Sequence, residues 1–213
     1  MIKRFHPQAG LTVIELTVVM TILAVSVSIF SGMVVTTARQ RAINRENAVA
    51  AEGAKFIIES MHNMPFGDVF ATYNSWPDDD PGGAGTAPGH RFVVDGLTPL
   101  TNSPDGLHGQ IFFPCEMVTP PAPEGEGGLG GGGLLGGKPA PPPDPELQLR
   151  EDIVDASMGV PRDLNGDSMV DDLDHSADYL ILPVRIEVEW AGTVGERKLT
   201  VDTMLTRMIS VNP

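Results

Sequence analysis

The stretch QAGLTVIELTVVM, residues 8–20, decides how this chain is read. It opens an apolar run, LTVIELTVVMTILAVSVSIFSGMVV over residues 11–35, in which Glu15 is the sole charged residue. As a helix, a run of that length spans about 37 Å, more than the roughly 30 Å of hydrocarbon in a bilayer. A carboxylate inside hydrocarbon is expensive, and chains that keep one give it a partner or a task. The residues before the run, MIKRFHPQAG, carry Lys3 and Arg4. Cations ahead of a first apolar segment favour a cytoplasmic N-terminus. Arg39, Arg41 and Arg45 follow the run and weaken that bias, so charge alone leaves the topology open. The run is too long for the apolar part of a cleaved secretory signal, and no A-x-A-like site closes it. A plain membrane anchor would leave Glu15 without a role.

Helical spacing continues beyond the apolar run. In residues 36–64, TTARQRAINRENAVAAEGAKFIIESMHNM, the apolar positions Ala42, Ile43, Ala50, Ala54, Ile57, Ile58 and Met61 form one stripe. Glu46, Glu52 and Lys55 are expected on the other faces with the arginines, and Pro65 ends the pattern. The spacing predicts one helix of about 50 residues, its first half in lipid and its second half packed on a head. Residues 66–89 read as loops punctuated by Pro and Gly. Residues 90–97, HRFVVDGL, and 109–118, GQIFFPCEMV, are short strand candidates. The strongest alternation is DYLILPVRIEVEW, residues 178–190, where Val184, Ile186, Val188 and Trp190 alternate with Arg185, Glu187 and Glu189. The turn AGTVGE leads to RKLTVDTMLTRMI, residues 197–209, and the pair predicts an antiparallel hairpin. Glu187 and Glu189 then belong to a solvated sheet face. Residues 119–145, rich in Gly and Pro, form a low-complexity insertion within the head, 65–213, and are expected to be a flexible surface loop.

The leader, the glycine, the apolar run and the acid occur together at fixed spacing. G-L-T-V-I-E-L-T-V-V-M resembles the N-terminal motif of type IV pilins and of the pseudopilins of type II secretion. The resemblance covers residues 3–35. It implies a leader peptide, 1–10, removed by a prepilin peptidase between Gly10 and Leu11, and methylation of the new Leu11 amine. Glu15 becomes the fifth residue of the mature chain and an assembly residue. In a stack of subunits its carboxylate meets the Leu11 amine of a neighbour, and the two charges neutralise each other in an apolar filament core. Leu11 stands where phenylalanine or methionine is commoner. Gly32 stands where many pilins have proline, and a glycine there weakens the helix. ESMHNMPFGDVF and VEWAGTVGERKLTVDTMLTRM also look like parts of minor pilin or pseudopilin heads.

A second informative stretch is DLNGDSMVDDLD, residues 163–174. Asp163, Asn165, Asp167, Asp171 and Asp174 place oxygen side chains at loop positions 1, 3, 5, 9 and 12. Hard cations such as calcium take six to eight oxygens, and a tight turn with alternating donors supplies them. The Met169 carbonyl would serve at position 7, and the apolar Val170 would pin the loop to a core. The pattern resembles the calcium loop of EF-hands and the dockerin-type repeat. Ser168 replaces the usual turn glycine and Asp174 the usual glutamate; Asp172 and Asp178 are substitute ligands. The same carboxylates also suit a solvated acidic turn.

The net charge of −14 argues against nucleic acid as a partner and fits an exported, self-repelling domain. Cys115 is the only cysteine, so it has no intramolecular disulfide partner and reads as a small buried hydrophobe. His6, His62, His90, His108 and His175 lack metalloprotease spacing, His175 reads as a surface residue, and no nucleophile or phosphate-binding motif is present. The expectation is therefore non-enzymatic: an α+β, pilin-like chain with a long helix packed on a small antiparallel sheet, single-pass in a bacterial inner membrane, its N-terminus cytoplasmic and its head periplasmic. Its partners would be prepilin peptidase, other pilin or pseudopilin subunits and membrane lipid, with Ca2+ as a bound ion. The alternative class is a membrane-anchored, calcium-dependent binding or adhesion module that uses a pilin-type leader.

Overall fold

The computed structural model describes residues 12–103, 105–119 and 144–207. A single helix, α1 (Val13–His62), carries both halves of the long helical pattern. At about 1.5 Å per residue it is roughly 75 Å long. The side chain of Thr12 caps its start by accepting from the Glu15 N–H at 3.3 Å. Asn63 caps its end, and Pro65 follows where it cannot continue the ladder. The helix runs through Gly32 as one element, with the Thr36 hydroxyl donating to the Gly32 carbonyl at 2.9 Å.

The two halves of α1 live in different surroundings. Residues 12–41 are exposed throughout, Val13, Ile14 and Phe30 among them, and this half is long and apolar enough to cross a membrane. From Ala42 a buried stripe begins. Ala50, Ala54, Ile57 and Met61 are buried, and Val49 and Ile58 flank them. The spacing of four, three and four residues is the helical repeat that keeps one face on the core.

That stripe packs on a four-stranded antiparallel sheet. Its strands are β1 (Arg91–Phe92), β2 (Gly109–Phe112), β5 (Ile181–Gly192) and β6 (Gly195–Thr206), in the order β1-β2-β5-β6. β5 and β6 form the expected hairpin, with Gly192 opposite Gly195. The turn is thus tighter than AGTVGE implied: only Thr193 and Val194 lie between the strands, and Gly195 takes φ 107°. Val184, Ile186, Val188 and Trp190 are buried as the alternation predicts. Pro183 sits inside β5 at no loss to the ladder. The odd-numbered N–H groups of β5 face the β2 side, as Glu189 shows by donating to the His108 carbonyl at 2.8 Å. The last β2 pair is Phe112 with Arg185, so no acceptor waits opposite Pro183.

Several local expectations change. Residues 66–89 are not all loop. A 3-10 turn at Phe66–Asp68 leads into α2 (Val69–Tyr73), which buries Val69 and packs Phe70 against Phe113. The candidate strand over 90–97 pairs only at Arg91–Phe92. The 109–118 candidate divides at Phe113–Pro114, because a proline cannot donate to a continuing ladder. Its second part, β3 (Cys115–Val118), pairs instead with β4 (Glu146–Leu149) in a separate two-stranded sheet. The Gly/Pro-rich insertion lies between these partners; residues 120–143 fall outside the described residues. Cys115 is half-buried, and burial pushes its thiol up to about 11, so it is uncharged at neutral pH.

Glu46 is not on a free face of α1. Its Oε1 accepts from the backbone N–H of Thr193 at 3.0 Å and from the Thr193 hydroxyl, and Trp190 Nε1 donates to Oε2 at 3.4 Å. The helix thereby holds the tip of the hairpin. On the opposite sheet face, Arg185 pairs with Asp202 at 2.6 Å and Asp155 at 2.8 Å, and Lys198 pairs with Glu187 at 2.7 Å and Glu189 at 3.3 Å. These are ion pairs across an outer face, as expected of Glu187 and Glu189.

Two measurements check this packing. Phe92 lies across from Gly109, and its ring occupies the space a Cβ at Gly109 would need. Gly109→Ala should destabilise by about 1–3 kcal/mol, read as a lower denaturation midpoint from tryptophan fluorescence. The Ser157 hydroxyl and Arg185 hold the Asp155 carboxyl well below its usual range. A lowered carboxyl contributes stability above its unfolded value, near about pH 4, and loses it as pH falls further. The stability gap between wild type and Asp155→Asn should therefore be constant above about pH 5 and shrink below about pH 4.

Candidate functional site

The segment that links β4 to β5 gathers several titratable side chains around one buried histidine, and hydrogen bonds to Leu149 place it. Leu149 is fully buried at the end of β4. Its N–H donates to Asp174 Oδ1 at 3.0 Å, and its carbonyl accepts from the His175 N–H at 2.9 Å. Leu164, also fully buried, accepts from the N–H groups of Leu180 and Ile181 at 2.7 and 3.0 Å. One end of the segment is thus tied to β4 and the other to the start of β5.

Glu151 lies two residues beyond β4 and is 1% exposed. Its Oε1 accepts from the N–H groups of Leu164 at 2.5 Å and Asn165 at 3.2 Å, while its Oε2 is buried without a hydrogen-bond partner. His175, 4% exposed, stands beside it. A turn in which Asp178 and Tyr179 donate to the His175 carbonyl brings Asp178 back to the ring. His175 Nδ1 is 3.1 Å from Asp178 Oδ1, and Nε2 is 3.1 Å from Asp171 Oδ1 and 3.8 Å from Glu151 Oε1. Burial opposes charging of this ring, but the hydrogen bonds to Asp171 and Asp178 outweigh it and raise the His175 pKa. The Leu173 N–H and the His175 ring lower that of Asp171.

One donor atom from each of Glu151, Asp171 and His175 lies within 4.8 Å of the others, so this buried group can hold a metal ion. Sequence reading missed two of the three. His175 was expected at the surface, yet the backbone tie to Leu149 draws it inside. The spacing Asp171, His175, Asp178 places two carboxylates four and three residues from one imidazole, and that was a readable sign. Glu151 is remote in sequence and carried no local signal.

The six candidate calcium ligands separate into two sets. In the first half of the loop, Asp163 accepts from the N–H groups of Gly166 at 2.5 Å and Ser168 at 2.7 Å. Asn165 accepts from Asp167, and Asp167 from Met169. These nested turns place three oxygen side chains around a tight bend. Ser168 has φ 70°, the left-handed conformation that a turn glycine adopts without strain. This half has the donor chemistry that suits a hard cation. In the second half the side chains are engaged elsewhere. Asp171 turns to His175. Asp174 accepts through Oδ1 from Leu149 and Ser176, and through Oδ2 from the Ser176 hydroxyl. Val170 is 49% exposed and does not pin the loop; Leu164 does. Of the substitutes, Asp178 joins the histidine cluster and Asp172 is exposed.

At the other end of the molecule, Gly10 and Leu11 lie outside the described residues. Glu15 sits in the first turn of α1, exposed, and among the described residues no cation pairs with it. Comparison with protein-family models, with curated proteins and with solved structures found no match.

The strain at Ser168 has a measurable counterpart. Ser168→Gly removes a left-handed non-glycine residue, so it should be neutral or stabilising by up to about 1 kcal/mol. Ser168→Val should destabilise by about 1–3 kcal/mol, both read by thermal unfolding.

Proposed function

We propose that this chain is a structural subunit, a minor pilin or pseudopilin, of a type IV pilus-like filament or a type II secretion pseudopilus. One observation carries the reading: the first half of α1 is an uncovered apolar rod whose single charge, Glu15, has no cationic partner among the described residues of its own chain. A surface of that size does not persist in water. Lipid covers it before assembly, and the matching helices of other subunits cover it afterwards. Glu15 then finds its counter-charge outside its own chain, in the Leu11 amine that a prepilin peptidase liberates by cutting after Gly10. The pairing works in one axial register, so it also sets the step between subunits. The second half of α1 presents the head outside the inner membrane.

Calcium fits this reading as an ordering ion for the head, held by Asp163, Asn165, Asp167 and the Met169 carbonyl. The structural role does not require it. The adhesion-module alternative does, and the exposed position of that loop is what favours it.

The membrane-derived protein should begin at a methylated Leu11, read by N-terminal sequencing and mass spectrometry. Gly10→Val should leave the precursor uncut. Glu15→Ala should still be cut but should reduce incorporation into sheared filaments at least tenfold; normal incorporation would refute the pairing.

A further inference from the structure

We propose that Glu151, Asp171 and His175 form a site for a zinc-type divalent ion, with Asp178 as the residue that orients the histidine. The site is distinct from the oxygen-rich bend at residues 163–169, and the proposal does not depend on the filament reading.

The hydrogen-bond inventory of the imidazole leads to it. A charged imidazole can donate from both nitrogens, whereas a neutral one has one N–H to give, so the cluster is balanced either by a proton on the ring or by a cation beside it. Both His175 nitrogens face carboxylate oxygens, at 3.1 Å on the Asp178 side and 3.1 Å on the Asp171 side. If Nδ1 donates to Asp178, the Nε2 lone pair points at Asp171 and Glu151, which also carry lone pairs. A cation between them turns that repulsion into coordination. The carboxylate behind Nδ1 is the arrangement that fixes the tautomer of a metal-bound histidine.

The spacing agrees. Zinc binds His nitrogen and carboxylate oxygen at about 2.0–2.2 Å, so donors at tetrahedral angles stand about 3.3–3.5 Å apart. The observed separations from Nε2, 3.1 and 3.8 Å, bracket that value. The buried Glu151 carboxylate is a second sign: its Oε1, the atom 3.8 Å from His175, accepts two backbone N–H groups, and its Oε2 has no donor, so its charge is only partly met by the protein. One nitrogen and two carboxylates suit zinc better than calcium, which favours an all-oxygen shell. Three protein donors leave one tetrahedral position for water. Bound there, the ion ties the exit of β4 to the entry of β5.

The test uses the full chain in detergent micelles, stripped with a chelator and titrated with Zn2+ against a chromophoric indicator. We expect one tight site per chain, and Co2+ should give the intense visible bands of tetrahedral coordination. His175→Ala and Glu151→Gln should abolish the site, and Asp178→Asn should weaken it about 10- to 100-fold. Asp163→Asn should leave it unchanged. Because His175 and Glu151 are buried, Asp171→Asn is the safer variant; with the Asp171 side chain 27% exposed, it should keep the wild-type circular dichroism and still lose zinc. No stoichiometric zinc uptake by the wild type, with both His175 nitrogens found protonated by NMR, would overturn the proposal. So would wild-type affinity in folded Asp171→Asn and His175→Ala.

Discussion

The structure depends on one shared layer: the buried stripe of α1, with Ala50 and Ala54 in it, packs into the same core as the inward residues of β5. Buried beside them are Ile57, Met61, Val184, Ile186, Val188 and Trp190, and this shared layer is the head's core. Because the stripe belongs to a helix that continues far beyond the head, the core also orients the rod. Glu46 reinforces the contact at the hairpin tip, where Thr193 and Trp190 donate to its carboxylate. Its pKa is lowered chiefly by the Thr193 hydroxyl and N–H, so the grip is that of a charged acceptor.

What could be read in advance followed from periodicity. The helix, its buried stripe and the β5–β6 hairpin all rest on repeats of 3.6 or 2 within one segment, and such repeats survive folding because they are the condition for burying one face. The misreadings were of two kinds. Pairings between distant short segments, such as β3 with β4, leave almost no periodic trace over four residues. Side chains drawn inward by a backbone tie also escaped notice, since nothing in LDHSAD declares that the His175 N–H will reach Leu149. The acidic loop shows both effects. Its first half follows local turn rules, with Asp163, Asn165 and Asp167 each accepting from nearby N–H groups, whereas Asp171 and Asp174 turn to His175 and to Leu149 and Ser176.

The segment between β4 and β5 is therefore held by polar contacts as well as by apolar burial. Leu164 and Tyr179 anchor it in the core and Met158 and Val160 are buried as well, while around Glu151 and His175 it is an arrangement of carboxylates, one imidazole and several N–H donors. Such an arrangement is sensitive to its ionic surroundings, because buried like charges repel unless a cation or a proton separates them. The outer sheet face, with Arg185 and Lys198 each holding two carboxylates, has its cations built in.

The β3–β4 ladder closes with Val118 opposite Glu146, so the two ends of the segment between these strands lie side by side. Closing a loop whose ends are already pinned side by side becomes only slowly harder as it lengthens. The length between Val118 and Glu146 can therefore change at little cost to the register elsewhere. The same doorway is where an epitope or fluorescent domain can be spliced in with least disturbance to the rest of the molecule.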